Sequence, residues 1–213
     1  FNGMVDLQFD LFDERRHNIF MPRESIPITA GFIKQPWDNY GKMKNQGAEV
    51  TLNINKQFNK NLFVSLMGTL TYAHNEITEK DEPAAVVGTN RAETGYPTGQ
   101  NRGYIAERLF TNDDFADVAA GTLKEGIPAQ TFTAKLRPGD IKYVDVNQDG
   151  KIDAFDVSPI GGPINPEIVY GFGLNMKWKD LDFGVLFQGI GRTWNVLSGN
   201  IIPASNKGTT YNI

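Results

Sequence analysis

The chain has 213 residues, 40% of them hydrophobic and 22% charged, so it is long and apolar enough to fold as one or two domains. Its formal net charge of −4 argues against a nucleic-acid-binding surface. Cysteine is absent, which excludes disulfides, thiolate metal sites and a cysteine nucleophile, and no apolar run is long enough for a membrane-spanning helix.

Five segments alternate apolar and polar residues with a period of two, which predicts β-strands at 5–11, 48–54, 62–72, 168–178 and 181–187. Short polar turns join the second strand to the third and the fourth to the fifth. The links at 13–41, at 75–167 and from Gly191 onward are long. Short turns at one end and long loops at the other predict an outer-membrane β-barrel. Its apolar face would meet lipid, its polar face would line the lumen, and Tyr72, Tyr170 and Trp178 would belong to aromatic girdles.

A soluble β-sandwich is the alternative to the barrel, because its strands also alternate, with the apolar face turned inward. The strand lengths, the loop asymmetry and a polar face of Gly, Asn, Thr and Gln favour the barrel. We therefore expect an all-β, antiparallel part of a large outer-membrane barrel. Residues 1–74 would form barrel strands and one extracellular loop, residues 75–166 a long extracellular loop, and residues 167–213 barrel strands and the start of the next extracellular loop.

Residues 145–156 have the spacing of a calcium-binding loop, in which alternate positions supply oxygen ligands and a glycine allows a sharp turn. Gly150 stands at the turn position. The last ligand is an aspartate and not the longer glutamate of a signalling EF-hand, so we interpret the ion as structural calcium rather than a sensor's. An empty, Asx-rich turn is the alternative. The expected ligands are Asp145, Asn147, Asp149, the Lys151 carbonyl, Asp153 and Asp156.

The remaining candidate sites give weaker signals. The segment Asn112 to Ala120 is a short helix candidate, capped by Asn112, with Asp113 and Asp114 in its first turn. Adjacent residues on a helix do not face each other, so this acidic pair is a poor match for glycosidase carboxylates. Four aromatic residues in expected loops either stack on sugar rings or pack the loops: Trp37, Tyr40, Tyr96 and Tyr104.

No catalytic motif is present, and both histidines, His17 and His74, lie beside strand ends, where a surface or interfacial role is expected. Arg15, Arg16 and Arg23 would contact lipid headgroups or be solvated charges. The chain begins without methionine inside an alternating pattern, so we interpret it as part of a longer protein.

Four stretches together carry a family resemblance: 39–50, 99–110, 138–153 and 160–172. The segment PGDIKYVDVNQDGKID at 138–153 resembles a motif of SusC/RagA-type TonB-linked outer-membrane proteins, the TonB-dependent receptors. The segment IGGPINPEIVYGF at 160–172 is similar to the stretch where their chain re-enters the barrel. Gln148 departs from the family, whose loops often have glycine at that position, but the ligand positions and Gly150 are intact.

The resemblance implies a location in the cell outer membrane and a role in nutrient uptake without enzymatic activity. Such proteins form barrels of about 22 strands with an N-terminal plug and contact outer-membrane lipid. They are coupled to the TonB system, capped by a SusD-like surface lipoprotein, and import glycan fragments or peptides. This chain would be a C-terminal barrel fragment that starts mid-barrel and stops before the last strands.

The alternative function is that of a soluble all-β calcium-binding adhesion or scaffold module of the dockerin kind. A dockerin duplicates its calcium loop and follows each copy with a helix. Here one copy is followed by Pro159 and Pro163, which stop helix growth. The sequence therefore favours the transporter fragment.

Overall fold

The structure, a computed structural model, describes residues 3–133 and 135–196, and within them the chain is dominated by β-strands. The first three strands are β1 (Val5–Pro22), β2 (Trp37–Asn59) and β3 (Leu62–Glu79). The long segment that follows contains short strands only. They are β4 (Gln100–Gly103), β5 (Ala106–Leu109), β6 (Phe115–Asp117), β7 (Thr122–Leu123), β8 (Ala129–Gln130), β9 (Ile141–Tyr143), β10 (Lys151–Ile152) and β11 (Ser158–Pro163). The chain then forms β12 (Ile168–Trp178) and β13 (Leu181–Gly191).

The five long strands form one antiparallel sheet in the order β1-β2-β3-β12-β13. Leu66 of β3 lies opposite Ile54 of β2 on one side and Leu174 of β12 on the other. Because side chains alternate along a strand, this register gathers most of the apolar residues of the five strands on one face. The turn between β2 and β3 is 60–61, and the turn between β12 and β13 is 179–180.

The segment 80–167 leaves the sheet after β3 and returns at β12, the strand beside it. Within it, the pairs β4–β11, β5–β9, β6–β7 and β8–β10 form small two-stranded sheets. Phe110, Phe115 and Leu136 form a buried cluster, against which Leu123 and Ile127 pack. The segment therefore has a small hydrophobic core of its own.

Two expectations about the first two strands are wrong. The expected link 13–41 is mostly strand, because β1 runs to Pro22 and β2 begins at Trp37. Their pairing continues through polar residues such as Glu14, opposite Asn45, so backbone hydrogen bonding outlasts the apolar pattern. For the same reason Trp37 and Tyr40 lie in β2 and not in a loop.

The helix expected at Asn112–Ala120 is a single 3-10 turn, Asn112–Asp114, whose N-cap is Thr111 and not Asn112. The chain becomes extended at Phe115, which turns into the small core. Two further 3-10 turns are Ile28–Ala30 and Ala154–Asp156. In the part of the chain that the structure describes, no helix is long and apolar enough to cross a membrane.

Candidate functional site: a two-faced sheet and its inserted segment

The apolar face of the sheet is continuous across all five strands. Along β3 it extends from Leu62 to Tyr72, and the two end residues of this stretch lie opposite Trp178 and Ile168 of β12. At the β12–β13 pair the rings of Phe172 and Phe187 stack with their centroids 4.8 Å apart. The face includes Val5, Leu7, Phe9, Leu11, Val50, Leu52, Ile54, Leu66, Leu70, Tyr170, Leu174, Met176, Leu181, Phe183 and Val185.

This apolar face is exposed. Leu11 is 72% exposed and Leu181 is 66% exposed. The buried hydrophobic residues of the described chain are Ala92, Phe110, Phe115, Leu136 and Ile152, and all of them lie in the inserted segment. A soluble sandwich would bury its apolar face against a second sheet. In the described chain no second sheet packs on this face, which is what the lipid-facing side of a membrane barrel requires.

The height of the apolar face matches a membrane. Ten steps along β3 from Leu62 to Tyr72 span about 33 Å. A strand tilt of about 40° reduces this to about 25 Å, the height of the apolar band of outer-membrane barrels. The next side chains of β3 on the same face are His74 and Glu76, so the apolar band ends at Tyr72 although the strand continues to Glu79.

The opposite face of the sheet is largely polar. One row across it contains Gln8, Thr51, Thr69, Gly171 and Gln188, which are partners in register. Gly173 and Gly184 also stand on this face, beside Asn175. The predicted lipid-side residues (Leu66, Phe172, Leu174, Val185, Phe187) therefore share one face, and the predicted lumen-side residues (Thr69, Gly173, Asn175, Gly184) share the other.

Glu167 joins the inserted segment to the sheet. Its side chain is buried, only 4% exposed, and its Oε1 contacts His74 Nδ1. Arg192 Nε, just after β13, lies 2.9 Å from Oε2. Oε2 accepts no hydrogen bond, so this second contact is an ion pair without hydrogen-bond alignment. The backbone is also joined here, since Ala73 N–H donates to the Glu167 carbonyl.

A second junction holds the segment near the end of β13. The buried Asn101 side chain donates to the carbonyls of Gly162 and Trp194, at 2.8 and 2.9 Å. The Trp194 ring lies directly on Gly161 and Gly162, where a Cβ would collide with it. Together with the contacts of Glu167, they join the insertion to β3 and to the residues just after β13. We call the five-stranded sheet the wall.

In the candidate calcium loop, the side-chain carboxylates accept hydrogen bonds from backbone N–H groups of the same loop. The Asp145 carboxylate accepts from the backbone N–H groups of Asp149 and Gly150, at 3.2 and 2.8 Å. The Asp149 carboxylate accepts from Lys151 N–H at 2.9 Å, and that of Asp153 from Phe155 N–H at 2.8 Å. Gly150 has φ of 83°, which confirms the sharp turn expected at that position.

Asp156 has an additional role that sequence reasoning missed. It is fully buried and accepts backbone hydrogen bonds from Val146 and Asp153, each at 2.8 Å, and from Asn147 at 3.4 Å. Asp156 thereby holds the start and the end of the loop together. The one sequence signal of this role is weak, the spacing of a capping box formed by Asp153 and Asp156.

The donor set of this loop has the chemistry that calcium requires, four carboxylates, one amide oxygen and one backbone carbonyl. Among residues 3–133 and 135–196, no three His, Cys, Asp or Glu side chains are gathered closely enough to hold a metal. The loop carboxylates are turned to backbone N–H groups instead. The six ligands therefore remain a prediction.

The other candidate residues have structural partners. Tyr104 stacks on Phe132 with ring centroids 4.8 Å apart and lies 5.4 Å from Tyr143, and Tyr96 lies beneath the Arg102 guanidinium. Burial, and then the nearby Asp153, raise the pKa of the Tyr104 phenol. These contacts support packing of the loops.

The three arginines near the first strand differ in their partners. Arg16 pairs with Glu14 at 2.7 Å, and Arg15 lies 3.4 Å from Asp13. Arg23 pairs with the buried Asp81 at 3.1 Å. Of these pairs, only Arg15 and Asp13 stand on the same side of the sheet as the apolar face, beyond Leu11, where lipid headgroups would lie.

Asp114 pairs with Arg108 through two hydrogen bonds of 2.7 and 2.6 Å. The Arg108 guanidinium, and then the N–H and hydroxyl of Thr111, hold the pKa of the Asp114 carboxyl far below its ordinary value. Asp114 is therefore a structural anion and not one of a catalytic pair.

Comparison with known proteins points to one group. No protein-family model matches the chain. It is 28% identical to TonB-dependent receptor P26 of Formosa agariphila over 89% of its own length, and 24% identical to TonB-dependent receptor SusC of Bacteroides thetaiotaomicron over 85%. The solved structure of the RagAB peptide importer in its closed-closed state matches 92% of the chain with a TM-score of 0.61 and 20% identity.

The chain is a relative of the SusC/RagA-type TonB-dependent receptors. It spans about a fifth of the length of the receptors that it matches. The expected all-β fragment of a receptor barrel is confirmed, and so is the location in the cell outer membrane. The comparisons give no support to the alternative, a soluble adhesion or scaffold module.

Proposed function

We propose that this chain is a wall segment, with one large external insertion, of a TonB-dependent transporter that imports glycan fragments or peptides and catalyses no reaction. The observation that carries the proposal is the exposed apolar face, about 25 Å high, opposite a polar face. The relatives are named as receptors, and one solved neighbour is named as a peptide importer.

Within this function, the strands separate lipid from a water-filled path, and segment 80–167 contributes to ligand recognition at the mouth. Loops on a rigid scaffold commonly carry recognition. The contacts of Glu167 and Asn101, together with the hydrogen bonds that Thr98 donates to Asn75 of β3, would fix the position of the segment relative to the wall. In the full-length protein, we propose that a SusD-like lipoprotein covers this end and that the TonB system supplies the energy.

We also propose that loop 145–156 holds a structural calcium ion, through Asp145, Asn147, Asp149, Asp153, Asp156 and the Lys151 carbonyl. The support is the ligand spacing and the turn at Gly150. The ion would cross-link a segment whose hydrophobic core is small.

The transport proposal is tested by growth of the source bacterium with its full-length receptor deleted. We expect slower growth on one oligosaccharide or peptide mixture as sole nutrient, restored by the wild-type gene. The Leu174→Arg gene should fail to restore growth, because a charge facing lipid at mid-bilayer costs about 2–4 kcal/mol. The matched Asn175→Arg gene changes the polar face of the same strand and should restore it. Unaltered growth on every glycan and peptide tested would contradict the proposal.

A further inference from the structure

The two ends of the sheet differ in how their basic side chains are paired. On the strands at the end that carries the insertion, Arg15, Arg16, Lys42 and Lys44 each form an ion pair with an acidic side chain. At the short-turn end stand Lys56, Lys60 and Lys179. Within the described ranges, none of these three ammonium groups lies within 4 Å of a carboxylate. We call these three residues the lysine rim.

The lysine rim adjoins the aromatic edge of the apolar face. Lys56 follows Ile54 on that face, and its Nζ lies 5.8 Å from the centre of the Phe58 ring. Lys179 Nζ lies 5.5 Å from the centre of the Trp178 ring. Both rings are about half exposed, Phe58 at 59% and Trp178 at 49%. Each of these two aromatic rings, at the edge of the apolar face, therefore has a lysine ammonium group over it.

The rim is built around two hairpin turns that contact each other. Lys60 lies in the turn between β2 and β3, and Lys179 lies in the turn between β12 and β13. The Lys179 N–H donates to the Asn61 carbonyl at 2.8 Å, so the two turns are held side by side. Asp180 is the acidic residue of these turns, and it lies beyond 4 Å from every ammonium group in the described chain. Asp180 lines one depression with Lys60 and Lys179 but forms no ion pair with them, so their ammonium groups can still meet an external anion.

We infer that the lysine rim binds the headgroups of anionic phospholipids in the membrane leaflet that meets the short turns. Short barrel turns face the periplasm, so this is the inner leaflet of the outer membrane. Aromatic rings at the edge of an apolar band sit at headgroup depth, and long lysine side chains extend from there to the phosphates. Each lysine near an anionic surface contributes enough attraction to change lipid affinity about fivefold.

The neighbouring Lys177 provides a control within the same sheet end. It stands on the polar face, opposite Phe63 and Asp182 in register, so it points away from lipid. A second control removes the same number of positive charges from the other end of the sheet, through Arg15→Gln, Lys42→Gln and Lys44→Gln.

The experiment measures lipid retention on the purified full-length receptor by native mass spectrometry, in detergent with equal phosphatidylglycerol and phosphatidylcholine. The wild type should retain phosphatidylglycerol preferentially. The triple change Lys56→Gln, Lys60→Gln and Lys179→Gln should lower the phosphatidylglycerol-to-phosphatidylcholine ratio by about tenfold or more. Lys177→Gln and the triple change at the other end should leave the ratio within about twofold of wild type.

Folding is checked for every variant by the heat-dependent gel mobility of the barrel. If the triple variant does not fold, the single changes Lys56→Gln and Lys179→Gln replace it, each with an expected loss of about fivefold. Replacing the three lysines by arginine should preserve the preference. An unchanged ratio in the folded glutamine variants overturns the inference, and so does an equal loss in the control triple, which would indicate a response to total charge. Nutrient import is not measured, so failure here leaves the proposed function intact.

Discussion

Arg192 Nε lies 2.9 Å from the Oε2 atom of Glu167. This ion pair joins the last residue of the inserted segment to the residue just after β13. Glu167 is also in contact with His74 of β3. One buried carboxylate thus links three parts of the chain that are far apart in sequence. These contacts join the insertion to β3 and to the residue that follows β13, at the point where the chain re-enters the sheet.

Replacing this carboxylate should loosen the insertion. We expect Glu167→Ala to destabilise the junction by about 1–3 kcal/mol, because it removes a charged hydrogen-bonding partner, with the lower part of that range reflecting the exposure of Arg192. Limited proteolysis of the full-length receptor should then cut segment 80–167 faster. Glu93→Ala, which removes an exposed carboxylate that pairs with the partly buried Lys80, is the control and should be cut at the wild-type rate. Equal protection of the Glu167 variant would contradict this role.

The Arg108–Asp114 pair predicts an acid-sensitive insertion. The pKa of Asp114 is lower in the folded protein than its ordinary value of 3.8, so its contribution is fully present above that value. Stability is lost as the pH falls from about 4 toward the lower folded pKa. Hydrogen exchange of residues 106–117, once corrected for the pH dependence of intrinsic amide exchange, should rise on acidification through this range. In Asp114→Asn the same rise should be reduced, and an identical pH profile would exclude Asp114 as its source.

Calcium binding is tested by calorimetry on the full-length receptor. We expect one calcium-binding event that Asp149→Ala abolishes, because a ligand at the turn of the loop is removed. Asp113→Ala removes an exposed acid outside the loop and should bind as wild type. The described loop uses its carboxylates as backbone acceptors, so calcium must replace some of these hydrogen bonds. A titration that is unchanged in Asp149→Ala would remove the site.

Much of the wall could be predicted from sequence, because alternate side chains of a barrel strand face lipid and the lumen and differ in polarity accordingly. The pairing of Leu66 with Leu174, and the separation of Leu174 from Asn175, follow from that period. The ends of β1 and β2 could not be predicted, since beyond the membrane both faces are polar and the period disappears.

The junctions of the insertion were also missed, for a different reason. Glu167, His74 and Arg192 are distant in sequence, and their side chains carry no local pattern. Asp156 was expected only as an ion ligand, and its backbone role depends on the loop geometry. Asp114 was placed in a helix because Asn112 and the two acids after it have the pattern of a capped first turn. Its pairing with Arg108, six residues upstream, leaves no such pattern.

The open sheet predicts how the 213-residue chain behaves alone. Strands β1 and β13 are its edges in the described residues, and five strands are fewer than the roughly eight of the smallest membrane barrels. With free edges and an exposed apolar face, the isolated chain should aggregate in buffer and require detergent. Light scattering during analytical gel filtration measures this. A monomer in plain buffer would favour a soluble fold.

The central claim is that the apolar face meets lipid, and site-directed labelling tests it most directly. Single cysteines at 172, 174 and 185 in the full-length receptor, and at 173 and 175 on the other face, would carry a fluorophore in lipid membranes. A lipid-soluble quencher should reach the labels at 172, 174 and 185, while those at 173 and 175 stay shielded from it. Quenching at 173 and 175, with 172, 174 and 185 protected, would reverse the two faces and contradict the barrel wall.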